Sequence, residues 1–395
     1  MKKTMCVLLA AAVLTACAKT PDNVKSKDSS QHQPTESSQS ISDTGSESVP
    51  RSETKTISRT VTEADFAKRI ESSRDIILSG KYDNLKTDNG FKVIANAYPS
   101  IISAAVPGDF EKNADSIFSQ LLPDDTKGCY PDKKKLRTDP ESGNKTCEYT
   151  NGKSIGYVNS DGITAFVDKD YMGKAEFGTQ STVNETRSLI MPVSNGSISL
   201  GSQKLDMCDM QKAADEKLRF IGYVNKDVTV RPYSVSTVTE PSGEVLAFMR
   251  YRRYYDDLPV FDSVPLKGDL PEMPLMFGSV ITFSPNGRIV QLNTGHILDI
   301  VEKTKPAEII TPEYAFESAS KALAPHIDHT ARFEELVLLP TVENDQGNAH
   351  TELKQGDVLT LKPYWIIHFE TDWWKEVYAA VNAETGETAY VNNKS

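Results

Sequence analysis

The strongest constraint on this chain is a series of short apolar runs punctuated by tight-turn residues. Runs at 146–150, 154–159 and 163–167 are separated by Asn151-Gly152 and Asp161-Gly162. Both dipeptides favour the left-handed backbone of two-residue hairpins, so the runs read as an antiparallel meander. The signal recurs further on. Runs at 277–284 and 288–293 flank Pro285-Asn286-Gly287, and Glu384-Thr385-Gly386 precedes a last run at 388–391. Within 244–255, Val245, Ala247, Met249 and Tyr251 alternate with Leu246, Phe248, Arg250 and Arg252, the period of a strand. Asp256-Asp257 then turns the chain into Leu258-Pro259-Val260-Phe261. Pro232, inside 228–238, suits an edge position, because proline has no N–H to offer a neighbouring strand.

Three stretches carry the helical period instead. Thr62 can cap a helix over 62–79, with Phe66, Ile70 and Ile77 on one face. Asp206 can cap a second, in which Met207, Met210, Ala214 and Leu218 form one stripe. In the third, Thr311 caps, Pro312 takes the first helical position and Glu313 complements the helix dipole. Ala315, Phe316, Ala319 and Leu323 line its apolar face, and Pro325 stops it. Strands follow each helix. The expected fold class is therefore α+β, with repeated units of one helix packed on an antiparallel sheet. The expected segments are a leader at 1–16, a tether at 17–58, an N-terminal α+β domain at 59–197, a middle unit at 198–302 and a C-terminal unit at 303–395.

The location of the protein is set by its first seventeen residues. Lys2 and Lys3 are followed by an apolar run at 7–14 and by Leu14-Thr15-Ala16-Cys17. The run is too short to span a bilayer and small residues precede the cut, so the segment reads as a cleaved signal peptide. The box resembles that of bacterial lipoproteins. The resemblance implies acylation of Cys17, with palmitate-type chains anchoring the protein to the extracytoplasmic face of a membrane in the cell envelope. Two or more chains give stable anchoring where one does not. The tract that follows is rich in Ser, Thr, Gln, Asp and Glu and poor in large apolar residues. It cannot bury enough surface to offset its ordering entropy, so it reads as a tether or an O-glycosylated stalk.

Charge narrows the partners. The formal net charge is -11, which disfavours nucleic acid and anionic headgroups. Lys133-Lys134-Lys135 is the densest basic run and reads as a solvated loop. Cys129 and Cys147 flank a polar loop rich in Lys, Asp, Pro and Gly, and a disulfide between them is the favoured pairing outside the cytoplasm, worth about 3 kcal/mol. Cys208 is left over. It is either a small, partly buried residue, the reading preferred here, or a free thiol near a helix N-terminus.

Two stretches resemble known families. Arg250-Tyr251-Arg252-Arg253-Tyr254-Tyr255-Asp256-Asp257-Leu258-Pro259-Val260-Phe261 resembles a strand of thermolysin-type propeptides. The capped helix at Thr311, with Pro363-Tyr364-Trp365-Ile366-Ile367 and Val381-Asn382-Ala383-Glu384-Thr385-Gly386-Glu387, resembles a PepSY-type domain and the C-terminal end of YycH/YycI-type regulators of sensor kinases. The similar parts cover about 244–392. The departures are a lipid anchor in place of a transmembrane helix, and no protease after the propeptide-like part. The resemblance implies a cystatin-like fold that acts by contact on another extracytoplasmic protein, such as a sensor kinase or a protease.

Motifs for chemistry are sparse. His326 and His329 are the one close histidine pair, without the three or four converging ligands a metal needs, so no metal is expected. No nucleophile elbow, phosphate loop or Ser-x-x-Lys motif stands in a fitting context, so no catalytic residue and no cofactor is assigned. Asp124-Asp125 and Asp256-Asp257 read as turns. Trp365, Trp373 and Trp374 fall within ten positions. Trp365 reads as core. Trp373 and Trp374 lie between two strands, where adjacent side chains do not both face one core, so at least one is a candidate partner contact, with packing beneath the sheet as the other reading. The expected function is that of a lipid-anchored interaction or regulatory protein, non-catalytic and without nucleic acid. The alternative is a surface lipoprotein that binds a small ligand or peptide.

Overall fold

The computed structural model describes residues 58–82, 84–106, 108, 114, 117, 133–138, 140, 143–150, 153–162, 164–171, 182–188, 196–220, 228–261, 278–296, 298–323, 329–341, 353, 356–369 and 377–392. The chain opens with β1 (Thr60–Val61), α1 (Glu63–Ser79), β2 (Leu85–Ile94) and β3 (Ile101–Ala105). It continues through β4 (Lys133–Thr138), β5 (Lys145–Thr150), β6 (Ser154–Asn159), β7 (Thr164–Asp168) and β8 (Thr182–Ser188). Next come β9 (Ser197–Leu200), β10 (Gln203–Asp206), α2 (Met207–Phe220), β11 (Val228–Thr239), β12 (Val245–Tyr255), β13 (Leu258–Pro259), β14 (Ser279–Phe283) and β15 (Ile289–Thr294). It closes with β16 (Asp299–Thr304), β17 (Ile309–Ile310), α3 (Pro312–Leu323), β18 (His329–Thr341), β19 (Val358–Phe369), β20 (Val377–Asn382) and β21 (Thr388–Asn392).

Two large sheets organise these elements. A ten-stranded antiparallel sheet runs β4-β5-β6-β7-β15-β14-β12-β11-β8, with β13 beside β12. A seven-stranded sheet runs β16-β3-β19-β18-β2, with β20 beside β19 and β21 beside β20. Along β19, β3 pairs with the start (Val358 to Leu361) and β20 with the end (Tyr364 to His368). The β2–β18 pair is parallel and the other pairs of that sheet are antiparallel. The large sheet is thus inserted between β3 and β16, which belong to the small one.

The expectation of repeated helix-on-sheet units is overturned. Strand accounts for 55% of the structure, in large antiparallel sheets, and three helices have their bounds among the described residues. α1 and α3 do not found separate units. Both cover one face of the small sheet, where Phe66 and Ile77 of α1 meet Ala315, Phe316, Ala319 and Leu323 of α3 over Leu336, Leu338, Trp365 and Ile367. Phe316 stands edge-on to Phe91 at 5.4 Å and to Tyr82 at 4.7 Å. The cause lies in long-range pairing. β2 and β3 find their partners in β18 and β19, and β7 finds β15, choices that local turn residues do not encode.

Local readings fare as their chemistry dictates. Asp206 Oδ1 accepts from the backbone N–H groups of Cys208 (2.8 Å) and Asp209 (3.2 Å), capping α2. Thr311 Oγ1 accepts from Tyr314 N at 3.4 Å. Thr62 precedes α1 in an extended conformation but makes no side-chain cap; its hydroxyl lies 3.4 Å from Asp65 Oδ2 instead. Met207, Met210, Ala214 and Leu218 are buried against the large sheet. Pro232 sits in a strand with neighbours on both sides, yet β8 pairs with β11 only from Ser234 onward and the β11–β12 register shifts between Pro232 and Ser234. The proline therefore occupies a local edge. Lys133-Lys134-Lys135 is not a loop: it begins β4, the end strand of the large sheet. Asn151-Gly152 lies outside the described residues.

The Asp256-Asp257 turn carries positive φ at both residues, 49° and 66°. It reverses the chain so that Tyr255 pairs with Leu258 and Val260 N donates to Arg253 O at 2.7 Å. A short polar side chain tolerates this backbone and a β-branched one does not. Asp257→Val is expected to lower stability in urea unfolding by about 1–2 kcal/mol, whereas Asp257→Asn should stay within about 0.5 kcal/mol of the parent.

Candidate functional site

The groups with the most perturbed chemistry gather where the two sheets meet. The end of β12 and the turn after it leave the large sheet: Val228, Tyr255, Leu258 and Val260 are buried in the core of the small one. Val260 forms a parallel bridge with Leu338, and Phe261 N donates to Leu338 O at 2.9 Å. Successive residues on a strand face opposite ways. Arg252 and Arg253, buried neighbours on β12, therefore enter two different clusters.

Arg252 faces β18 and β19. Its Nη1 lies 2.9 Å from Glu335 Oε1 and 3.0 Å from Oε2. The guanidinium stacks 4.5 Å from the Tyr233 ring and 5.5 Å from the Phe261 ring. His368 Nε2 is 2.8 Å from Glu335 Oε1, and its ring stacks on Phe333 at 4.2 Å. Burial alone would raise the Glu335 carboxyl, but the Arg252 charge and His368 hold it down at about 2. Arg253 faces the other way. Its Nη1 donates to Tyr255 Oη at 3.3 Å and its Nη2 to the carbonyl of His296. His296 Nδ1 lies 3.0 Å from the Asp161 carbonyl, at the Asp161-Gly162 turn. Burial pushes the His296 imidazole down, against the Asp161 charge.

Glu334 completes the region from the opposite side. It precedes Glu335 on β18 and so faces the helices, fully buried, with neither carboxyl oxygen hydrogen-bonded among the described residues. Burial pushes its carboxyl well above the usual range. Tyr82, over this part of the core, is pushed up to about 12 by burial and by the Glu334 and Glu317 charges. A carboxyl in an apolar site keeps its proton, while its neighbour beside an arginine loses it. Two consecutive glutamates are thus shifted in opposite directions.

A groove of about 400 Å³ lies between α1 and α3. Arg59, Tyr82, Glu313, Tyr314, Glu317 and Lys321 are among its walls. Its charges are largely engaged. Glu313 pairs with Arg69 and accepts from Ser73 Oγ at 2.9 Å, Lys321 pairs with Glu317, and Arg59 lies 5.0 Å over Tyr314. Chemically, a carboxylate that fixes an imidazole is the arrangement that supports general-base work. Here both oxygens of that carboxylate are also held by a guanidinium, which makes the triad a joint.

The residues singled out from sequence are dispersed. Cys147 is buried in β5, while Cys129 lies outside the described residues, as do Cys17, Trp373, Trp374 and His326. Trp365 is buried and donates its indole N–H to Ile310 O at 3.0 Å. His329 stacks on Phe369 at 4.8 Å and lies 3.1 Å from Tyr390 Oη. Cys208 is exposed rather than partly buried. Among the described residues, no three His, Cys, Asp or Glu side chains are grouped to hold a metal ion. Arg252, Glu335 and His368 were legible only as charges inside apolar runs, a pattern that calls for buried partners.

No family model matches the chain, and no curated protein matches it. Among solved structures, it is similar to an uncharacterised protein from Eubacterium rectale, with 12% identity and a TM-score of 0.52 over 83% of this chain and 99% of that one. The likeness is one of fold.

Two tests follow from the paired glutamates. Arg252→Met leaves Glu335 buried without its main partner and should cost about 3–5 kcal/mol in denaturant unfolding. The Glu335 contribution is present above its unfolded value of 4.5 and fades as pH falls through about 2, so the parent should lose stability across that acid window. Glu334 has the opposite sign: its folded state favours the neutral acid, so stability falls as pH rises above 4.5. Glu334→Gln should be the more stable protein at pH 8 and show no such decline; equal slopes in the two proteins would refute the assignment.

Proposed function

We propose that this protein is a lipid-anchored extracytoplasmic interaction protein that regulates another protein by contact rather than by catalysis. The leader through Cys17 supports the anchor. The observation that carries contact is where large apolar side chains stay in solvent. Among the described residues three large apolar side chains are exposed: Leu136 (48%) on β4 and Val301 (63%) on β16, each on an end strand of a large sheet, and Val358 (55%) at the start of β19, where β3 pairs with it and the β18 pairing has not yet begun. Open strand edges are templates for other polypeptides, and natural proteins seldom leave apolar residues on them without cause. The buried charges support the same reading, because Arg252, Glu335 and His368 hold one another. The groove between α1 and α3 lends the ligand-binding alternative little, since Glu313, Glu317 and Lys321 of its walls are engaged in ion pairs. A sensor kinase ectodomain or a protease, the partner classes implied by the C-terminal resemblance, is the first to look for.

The reading is tested in intact cells with a photo-crosslinking amino acid placed at Leu136, at Val301 and, as a control, at exposed Lys204 on β10. Polypeptide adducts are expected from one or both edges and not from the control. Cys17→Ala should move the protein from the detergent phase to the aqueous phase and weaken the adducts. Absence of any adduct from both edges would remove contact as the function.

A further inference from the structure

We infer that β4 is the edge to which a partner adds an acidic extended segment; this rests on the contact reading above and assigns it a place and a chemistry. Among the described residues two end strands carry an exposed large apolar residue, and they differ. β16 meets β3 with a register shift between Ile300 and Glu302, and its Lys303 is tied to Asp256 at 2.8 Å. A bulge twists an edge away from a further strand. β4 meets β5 without irregularity through all its pairs, from Lys133↔Thr150 to Thr138↔Lys145. Among the described residues no strand lies beyond it, so its outer backbone presents an even row of donors and acceptors.

The side chains specify what can lie beside it. β4 reads Lys133-Lys134-Lys135-Leu136-Arg137-Thr138, the densest basic run in a chain of net charge -11. Lys135 and Arg137 share the face of Glu148, and Arg137 pairs with that carboxylate at 2.9 Å. Lys135, opposite Glu148, stays exposed. Leu136 is on the other face, opposite buried Cys147, and carries the apolar side of the sheet out into solvent. An added strand places alternate residues against these two rows. Opposite charges across strands are favourable and like charges are not, so the fitting segment alternates acidic and apolar residues. Lys135 and Arg137 repel a basic strand and give a neutral one no charge partner, so specificity comes from repulsion as well as attraction. They also exclude a second copy of this chain, whose own β4 would set cation against cation. A purely anionic surface would use the charge but leave the backbone row and Leu136 unused.

The test uses the full-length lipidated protein in neutral detergent and fluorescence anisotropy. The probes are an alternating Glu-Val peptide, its Gln-Val counterpart, a Lys-Val counterpart and the Glu-Val peptide N-methylated at alternate amides. The Glu-Val peptide should bind at least about tenfold more tightly than the Gln-Val and N-methylated forms, since it has both the charge pairs and the backbone bonds. In the double variant Lys135→Glu, Arg137→Glu the preference should pass to Lys-Val, which also shows that the edge is still folded. Equal binding of the N-methylated peptide, or phosphatidylglycerol vesicles bound by the parent and not by the variant, would overturn strand addition in favour of charge alone. Failure of the Glu-Val peptide to bind would overturn it outright. If Leu136 crosslinks to a partner in cells and charge reversal leaves that adduct unchanged, contact stands and the acidic segment is wrong. If neither edge crosslinks, contact itself has failed.

Discussion

The structure depends on one buried charge meeting another across two sheets. Arg252 leaves β12 of the large sheet and reaches Glu335 on β18 of the small one, with His368 of β19 on the same carboxylate. Such a pair gains little over an apolar contact of the same shape, because both ions lose water. Its effect is on alternatives. A slip of β12 by one residue would move one arginine into the place of the other, so that either Glu335 or the His296 carbonyl, according to the direction of the slip, would face a tyrosine in place of its guanidinium. We attribute the register of the seam to this penalty. The turn at Asp256-Asp257 then carries Leu258 and Val260 into the neighbouring core, so the inserted sheet and its host share apolar packing as well as charge.

How much of this was legible depends on the range of each interaction. Hairpins around Asp161-Gly162 and Pro285-Asn286-Gly287 could be read because the turn residues themselves set the backbone; Gly162 and Gly287 both adopt positive φ. The apolar stripes of α1, α2 and α3 could be read because the helical period gathers them on one face. What could not be read was which hairpin joins which sheet. The β2–β18 and β7–β15 pairs link residues far apart in sequence, and an alternating apolar pattern fits many partners equally. Treating each helix as the head of its own unit followed from that gap. The seam charges were visible in Arg252-Arg253 and Glu334-Glu335, but not their pairing, because the two carboxyls are shifted in opposite directions by surroundings that only the packing supplies.

The same physics separates the inside of the protein from its surface. Inside, Arg252, Glu335 and His368 are matched and set the relation between the sheets. Outside, a long antiparallel sheet must end somewhere, and its last strand presents an unpaired backbone. At β16 the end is bulged and ion-paired; at β4 it is regular, basic and flanked by Leu136. The proposed function joins this edge to the proposed lipid anchor at Cys17: a body so held would meet an extended segment of another protein near the membrane.

The account stands on the two sheets being one cooperative body across the Arg252–Glu335 seam. Differential scanning calorimetry of the protein tests this most directly, by comparing the calorimetric enthalpy with the van't Hoff enthalpy. A single transition in which the two agree is the predicted result. Two separated transitions, one for each sheet, would contradict it.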